Sequence, residues 1–157
     1  MATDLENIQR LLDRFKRPIP PGDNYQNRLA EEFELILSQR FTDYFLQICD
    51  IIDLTTDLTH MTRGSAGSSL VCYLLGITDV DPIKWNIPVA RFMNPMRDDL
   101  PDVDIDFEHH RQTEVMERIF CKWPGKTARL SNYVTYKEKS ARREAAKRLG
   151  ATGNLPR

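Results

Sequence analysis

Apolar residues recur at helical spacing twice before residue 40. Leu5, Ile8, Leu12 and Phe15 stand three and four apart, which predicts a helix over the first 17 residues. Pro18-Ile19-Pro20-Pro21-Gly22 stops it, because proline brings no amide to the helical ladder, and reads as a linker or extended arm. From Arg28 a second stripe begins: Leu29, Phe33, Ile36 and Leu37 share a face, with Glu31, Glu32 and Glu34 turned mostly away. Phe41 to Ile52 predicts a further helix whose Tyr44, Phe45, Ile48 and Ile52 meet a common core. Residues 53–64 are threonine-rich and weakly periodic, so they read mainly as a connection.

Ser65 to Leu75 then predicts one helix with a small-residue first turn, ended by Gly76. The turn-rich ITDVDPIKWNIP leads into VARFMNP. A short strand follows Pro101, and a helix runs from about Arg111 to Cys121 until Trp123-Pro124-Gly125 breaks it. Leu130 to Thr135 reads as a strand, and a basic helix spans Glu138 to Leu149 with Gly150 as its stop. No repeat is evident.

Composition narrows the class. At 157 residues, 41% hydrophobic and 29% charged, the chain has the material for one core. Its longest apolar run, LVCYLLGI, is far below the roughly 18 residues of a membrane span. The start places acids early and is no secretory signal. Cys49, Cys72 and Cys121 are odd in number and widely spaced, so they frame neither disulfides nor zinc and fit a reducing cytoplasm. The net charge of -1 conceals a split: residues 1–110 hold 10 Lys/Arg against 19 Asp/Glu, and residues 111–157 hold 12 against 4. Acidic chemistry followed by polyanion contact fits that split, and so does a solvated dipolar surface.

Two motifs carry candidate chemistry. In Pro101-Asp102-Val103-Asp104-Ile105-Asp106-Phe107 strand alternation puts the three acids on one face and Val103, Ile105 and Phe107 on the other. Same-face carboxylates about 6.6 Å apart repel unless a cation compensates, and their hard oxygens suit Mg²⁺ or Mn²⁺. An acidic edge strand that discourages sheet aggregation, or a structural calcium site, would show the same pattern. Arg63-Gly64-Ser65-Ala66-Gly67-Ser68-Ser69 precedes an apolar helix body. Free amides at a helix start, close approach at glycine and a planar guanidinium suit a phosphate, although a plain structural cap also fits. The motif is neither a Walker loop nor a dinucleotide fingerprint. His60, His109 and His110 lack ligand partners at a zinc spacing and read as surface or supporting residues.

In their order, Arg-Gly-Ser, Ile-Thr-Asp, Arg-Phe-Met-Asn-Pro and Pro-Asp-Val-Asp-Ile-Asp-Phe closely resemble the palm of family C DNA polymerases, the bacterial DNA polymerase III alpha subunits and their error-prone relatives. The resemblance covers about residues 25–150 and is weaker after the acidic strand. It implies an α/β fold, a partial nucleotidyltransferase palm related to polymerase beta with a mixed sheet and flanking helices. Residues 1–24 then form a leading helix and proline-rich linker, 25–150 the partial palm and 151–157 a flexible tail.

The resemblance also implies roles. Gly64 and Ser65 match the motif that holds the incoming triphosphate, with Arg63 and Arg91 beside it. Asp104 and Asp106 match two catalytic, metal-binding aspartates, with Asp102 in support and Mg²⁺ (or Mn²⁺) as cofactor. Lys139 and Arg143 match basic positions that contact nucleotide or DNA, where a solvated helix or a protein-binding surface would look alike. The family's third catalytic aspartate, fingers and thumb lie outside this chain. Partnership with another polymerase segment or replication protein, as well as DNA and dNTP, is therefore expected, as is inactivity alone. A non-catalytic interaction module is the alternative. The chain departs from the family at His60-Met61-Thr62, where Gly-Pro-Gly is usual, and at Asn132-Tyr133-Val134-Thr135, where Thr-Phe-Gly-Thr is usual.

Overall fold

The computed structural model describes residues 3–96, 99–131, 133 and 135–150. The chain divides into two units, Met1–Lys126 and Thr127–Arg157. The architecture is mixed α/β, a small two-stranded sheet flanked by helices, as in a partial palm.

Helix α1 spans Asp4–Leu12 and opens on a capping box, in which the Glu6 amide donates to the Thr3 hydroxyl and the Thr3 amide to the Glu6 carboxylate. It ends sooner than residue 17. The amides of Lys16 and Arg17 turn instead to the Leu74 carbonyl, at 2.8 and 3.1 Å, so Phe15 reaches the core from a turn and stacks on Phe33. Helices α2 (Asp23–Ser38) and α3 (Thr42–Asp53) bury the predicted stripes, with Leu29, Phe33 and Ile36 on one and Phe45, Ile48 and Ile52 on the other. Glu32 departs from expectation. It lies within the stripe, fully buried, rather than facing away with Glu31 and Glu34.

The supposed connection at 53–64 contains strand β1, His60–Arg63. It pairs antiparallel with β2, Asp104–Phe107. Val103 and Ile105 pack on the core and anchor β2, while the half-buried Tyr44 hydroxyl donates to the Pro101 carbonyl just before it. Burial raises the Tyr44 pKa to about 12, so the phenol stays a donor.

Ser65–Leu75 does not form one helix. Gly64–Ser68 is a 3-10 turn, Ser69 is extended, and helix α4 covers only Leu70–Leu74. Ser69 breaks the run because its hydroxyl caps α4 by accepting from the Cys72 amide at 3.0 Å. At Gly76, φ is +73° and a Cβ would lie 3.0 Å from the Lys16 side chain, so glycine both turns the chain and admits the N-terminal segment.

Helix α5, Gln112–Lys122, follows β2 through a 3-10 turn at His109–Arg111. Its Arg118 donates to the Leu54 carbonyl and to Asp57, which ties α5 to the end of α3. Cys49 and Cys72 are buried and Cys121 is exposed. Among the described residues no helix is long and apolar enough to cross a membrane.

In the second unit, helix α6 covers Glu138–Arg148, and Gly150 follows with φ of +76°. The strand expected at Leu130–Thr135 is absent from the described residues. Leu130 and Tyr133 are almost fully exposed. Asn132 and Val134 of that stretch lie outside the described residues, as does the expected tail, 151–157.

Candidate nucleotide and metal site

The sheet register assembles most of the candidate residues. Arg63 stands opposite Asp104, Met61 opposite Asp106, and Thr62 opposite Ile105. Opposed residues of an antiparallel pair share a face. Arg63, Asp104 and Asp106 therefore lie on one side of the sheet and Thr62 and Ile105 on the other. The Thr62 hydroxyl donates to the Ile77 carbonyl, which fixes β1 to the chain leaving α4.

On the charged face Arg63 reaches diagonally to Asp106, with Nη2 3.0 Å from Oδ1 and Nε on the second oxygen. That bond raises the Arg63 pKa further above its ordinary value. Gly64 comes next, at φ +76°, and a Cβ there would sit 3.4 Å from the Asp104 carboxylate. A side chain at this position would be strained by the backbone and would lie in contact with Asp104. Glycine thus brings the start of the 3-10 turn against the acidic strand. A cleft of about 360 Å³ continues from the turn, lined by Ser65, Arg91, Asn94, Asp99 and Asp102 among others.

Asp102 precedes the paired segment of β2 and lines this cleft, whereas Asp104 and Asp106 occupy the ladder. Two same-face carboxylates suit a hard divalent cation that keeps several waters. Among the described residues no three His, Cys, Asp or Glu side chains gather in a metal-holding group. Asp104 and Asp106 stand as two carboxylates on one face of the sheet, and Arg63 already engages one of them. Lys139 and Arg143 sit one turn apart on α6, both exposed, in the second unit. His109 and His110 are exposed, His110 lying 3.1 Å from Glu108, and His60 packs near the Phe107 ring.

The amides expected to meet phosphate at the start of α4 are occupied from within. Glu32 accepts from the Leu70 amide at 2.8 Å, the Val71 amide at 2.9 Å and the Ser69 hydroxyl at 2.7 Å. The open part of the motif is its upstream end, Gly64 and Ser65. Sequence reasoning missed Glu32. The available signal was Arg28 four residues before it, an ion pair set among Leu29, Phe33 and Ile36.

Comparison with known proteins gives the family. The family model of the bacterial DNA polymerase III alpha NTPase domain matches residues 5–155. The chain belongs to this family. An error-prone DNA polymerase of Cutibacterium acnes is 39% identical over 152 residues, covering 94% of this chain and 13% of the relative. The DNA polymerase III subunit alpha of Mycobacterium tuberculosis is 38% identical over 138 residues, 85% of this chain and 12% of the relative. An error-prone DNA polymerase of Sinorhizobium medicae is 36% identical over 156 residues, 94% of this chain and 14% of the relative. The chain therefore spans about an eighth of the length of these relatives. The family match runs from α1 past α6 and includes both charged motifs.

Proposed function

We propose that this chain is part of the catalytic palm of a DNA-directed DNA polymerase, working in the cytoplasm. The observation that carries the reading is the adjacency of Arg63 and Gly64 to Asp104 and Asp106 on one sheet face. A phosphate-binding turn and a cation-binding strand in contact are what phosphoryl transfer needs.

In this reading Asp104 and Asp106 hold Mg²⁺, or Mn²⁺ in its place. Bound there, the ion would neutralise charge on the α-phosphate and favour the alkoxide of the attacking hydroxyl. The Gly64 amide and Ser65 receive the triphosphate where no side chain intervenes. Arg63 leaves Asp106 to meet the phosphates, and Arg91 contacts them from the cleft. A primer 3′-hydroxyl attacks the α-phosphorus of a dNTP, the bond to the β-phosphate oxygen breaks, and pyrophosphate leaves. Lys139 and Arg143 contact DNA or nucleotide through charge. Residues 25–150 form the palm portion, led by residues 1–24.

In this reading Asp104 and Asp106 supply part of a two-metal centre, and primer extension needs the rest. A further polymerase segment supplies the remaining acid and grips the DNA. Primer extension with the purified chain, with and without such a segment, tests this. Extension only in the completed assembly, lost on Asp104→Ala, is expected. Extension by the chain alone, lost on Asp104→Ala, would overturn its dependence on completion. The Arg63–Asp106 pair favours a second reading, a palm surface kept for binding a replication protein or DNA, since it settles the acid's charge without a metal. Absence of Mn²⁺ binding by electron paramagnetic resonance, with a replication partner still bound, would select it.

A further inference from the structure

Helix α2 grips the junction between the Gly64–Ser68 turn and α4 from both sides. Each oxygen of the Glu32 carboxylate accepts two hydrogen bonds. Oε1 takes Arg28 Nε at 2.8 Å and the Leu70 amide at 2.8 Å; Oε2 takes the Ser69 hydroxyl at 2.7 Å and the Val71 amide at 2.9 Å. The carboxylate is wholly buried. One turn earlier, Arg28 Nη2 donates to the carbonyls of Ser68 and Ile87, each at 2.8 Å. The pair thus holds the last carbonyl of the turn, the serine after it and the first amides of the helix.

Resting on the nucleotide-binding reading, we propose that Glu32 and Arg28 are positioning residues for the triphosphate cradle. Glu32 is an internal anion in the place a phosphate would take at the start of α4. Its presence confines the incoming phosphates to the upstream end of the turn, at Gly64 and Ser65, beside the acidic strand. The turn is short enough to transmit a displacement. Between its clamped end and Ser65 stand only Ala66 and Gly67, and Ala66 is itself fully buried. A shift of about 1 Å at Ser68 moves Ser65 against the phosphates, and misplacement of that size costs binding and rate heavily.

The test uses the whole chain with Mg²⁺ and a fluorescent dATP, in three variants. Glu32→Gln keeps the shape but places an amide donor among donors, and Arg28→Lys keeps the charge but loses the planar fork. Ile36→Val, buried on the same helix face, serves as a control for general loss of stability. Glu32→Gln is expected to speed hydrogen exchange at the amides of residues 64–71 and to weaken nucleotide binding about tenfold. Arg28→Lys does the same by about threefold, and decides the matter if the first variant does not fold. Ile36→Val leaves both readouts as in the parent chain. Unchanged exchange and affinity in a folded clamp variant, or equal losses in Ile36→Val, would refute the positioning role. Failure of the parent chain to bind the nucleotide would instead refute the nucleotide reading, and the clamp's role toward phosphate with it.

Discussion

Two arginine–carboxylate pairs lie within the same unit and behave as opposites. Arg28–Glu32 has side chains 13% and 0% exposed, whereas Arg63–Asp106 has 60% and 46%. The first is surrounded by further donors, so no arriving ligand can replace either partner without leaving buried groups unpaired. The second stands in water, where an ion pair gains little and a competing cation or phosphate can exchange with it. Burial therefore separates a charge pair that builds the fold from one that is available for chemistry.

Removing one partner from each pair should expose the contrast most clearly. Glu32→Ala strands Arg28 and two amides in the core and is expected to lower stability by about 3–5 kcal/mol in urea unfolding. Asp106→Ala should leave the urea midpoint nearly unchanged. Equal effects from the two would erase the distinction. Next in size is the loss of cation binding: Asp104→Asn and Asp106→Asn should each weaken Mn²⁺ binding about tenfold or more, read by electron paramagnetic resonance. Glu32→Gln, if folded, should leave Mn²⁺ binding intact.

Arg63→Ala sharpens the comparison from the other side. With the guanidinium gone, Mn²⁺ should bind the chain about twofold to fivefold more tightly without nucleotide. Binding of a fluorescent dATP should weaken by about threefold to tenfold as a phosphate donor is lost. Parallel changes in the two affinities would show that Arg63 does not exchange between acid and phosphate.

The smallest effect concerns a third group of charges, where α5 meets the chain after α3. The Asp57 pKa is lowered to about 2, chiefly by its hydrogen bond from Arg118, and Glu114 is lowered by Arg111 and Arg118. A carboxylate whose folded pKa is depressed stabilises the fold above its unfolded value, near 4, and that contribution disappears as pH falls through the folded value. The urea midpoint should therefore decline between about pH 4 and 2, and Arg118→Met should flatten that part of the profile.

What the sequence revealed depended on how local the determining contacts are. Asp104 and Asp106 were legible because strand alternation fixes their common face. The stripes of α2 and α3 were legible because each helix buries one side. Glu32 was obscured because its reward is remote: the α4 amides it serves lie on another element, and a charged residue is an exposed residue by default. The break at Ser69 is partly remote too. Local composition favours one helix from Ser65, whereas the Ser69 hydroxyl caps α4 and is itself held by a carboxylate from α2. Helix α1 was read too long because the Leu74 carbonyl claims the amides of Lys16 and Arg17. Strand β1 hid in a threonine-rich stretch whose partner, β2, lies some forty residues away.

The three thiols have a practical consequence. Burial pushes the Cys49 pKa up to about 11 and moves that of Cys72 upward as well, so neither offers thiolate to a reagent at neutral pH. Cys121 alone is exposed. A maleimide or nitroxide should thus label the unmodified protein at one place, near the end of α5. Because that helix continues from the acidic strand, a spectroscopic tag there would report on β2 when magnesium or nucleotide is added, with no engineered cysteine.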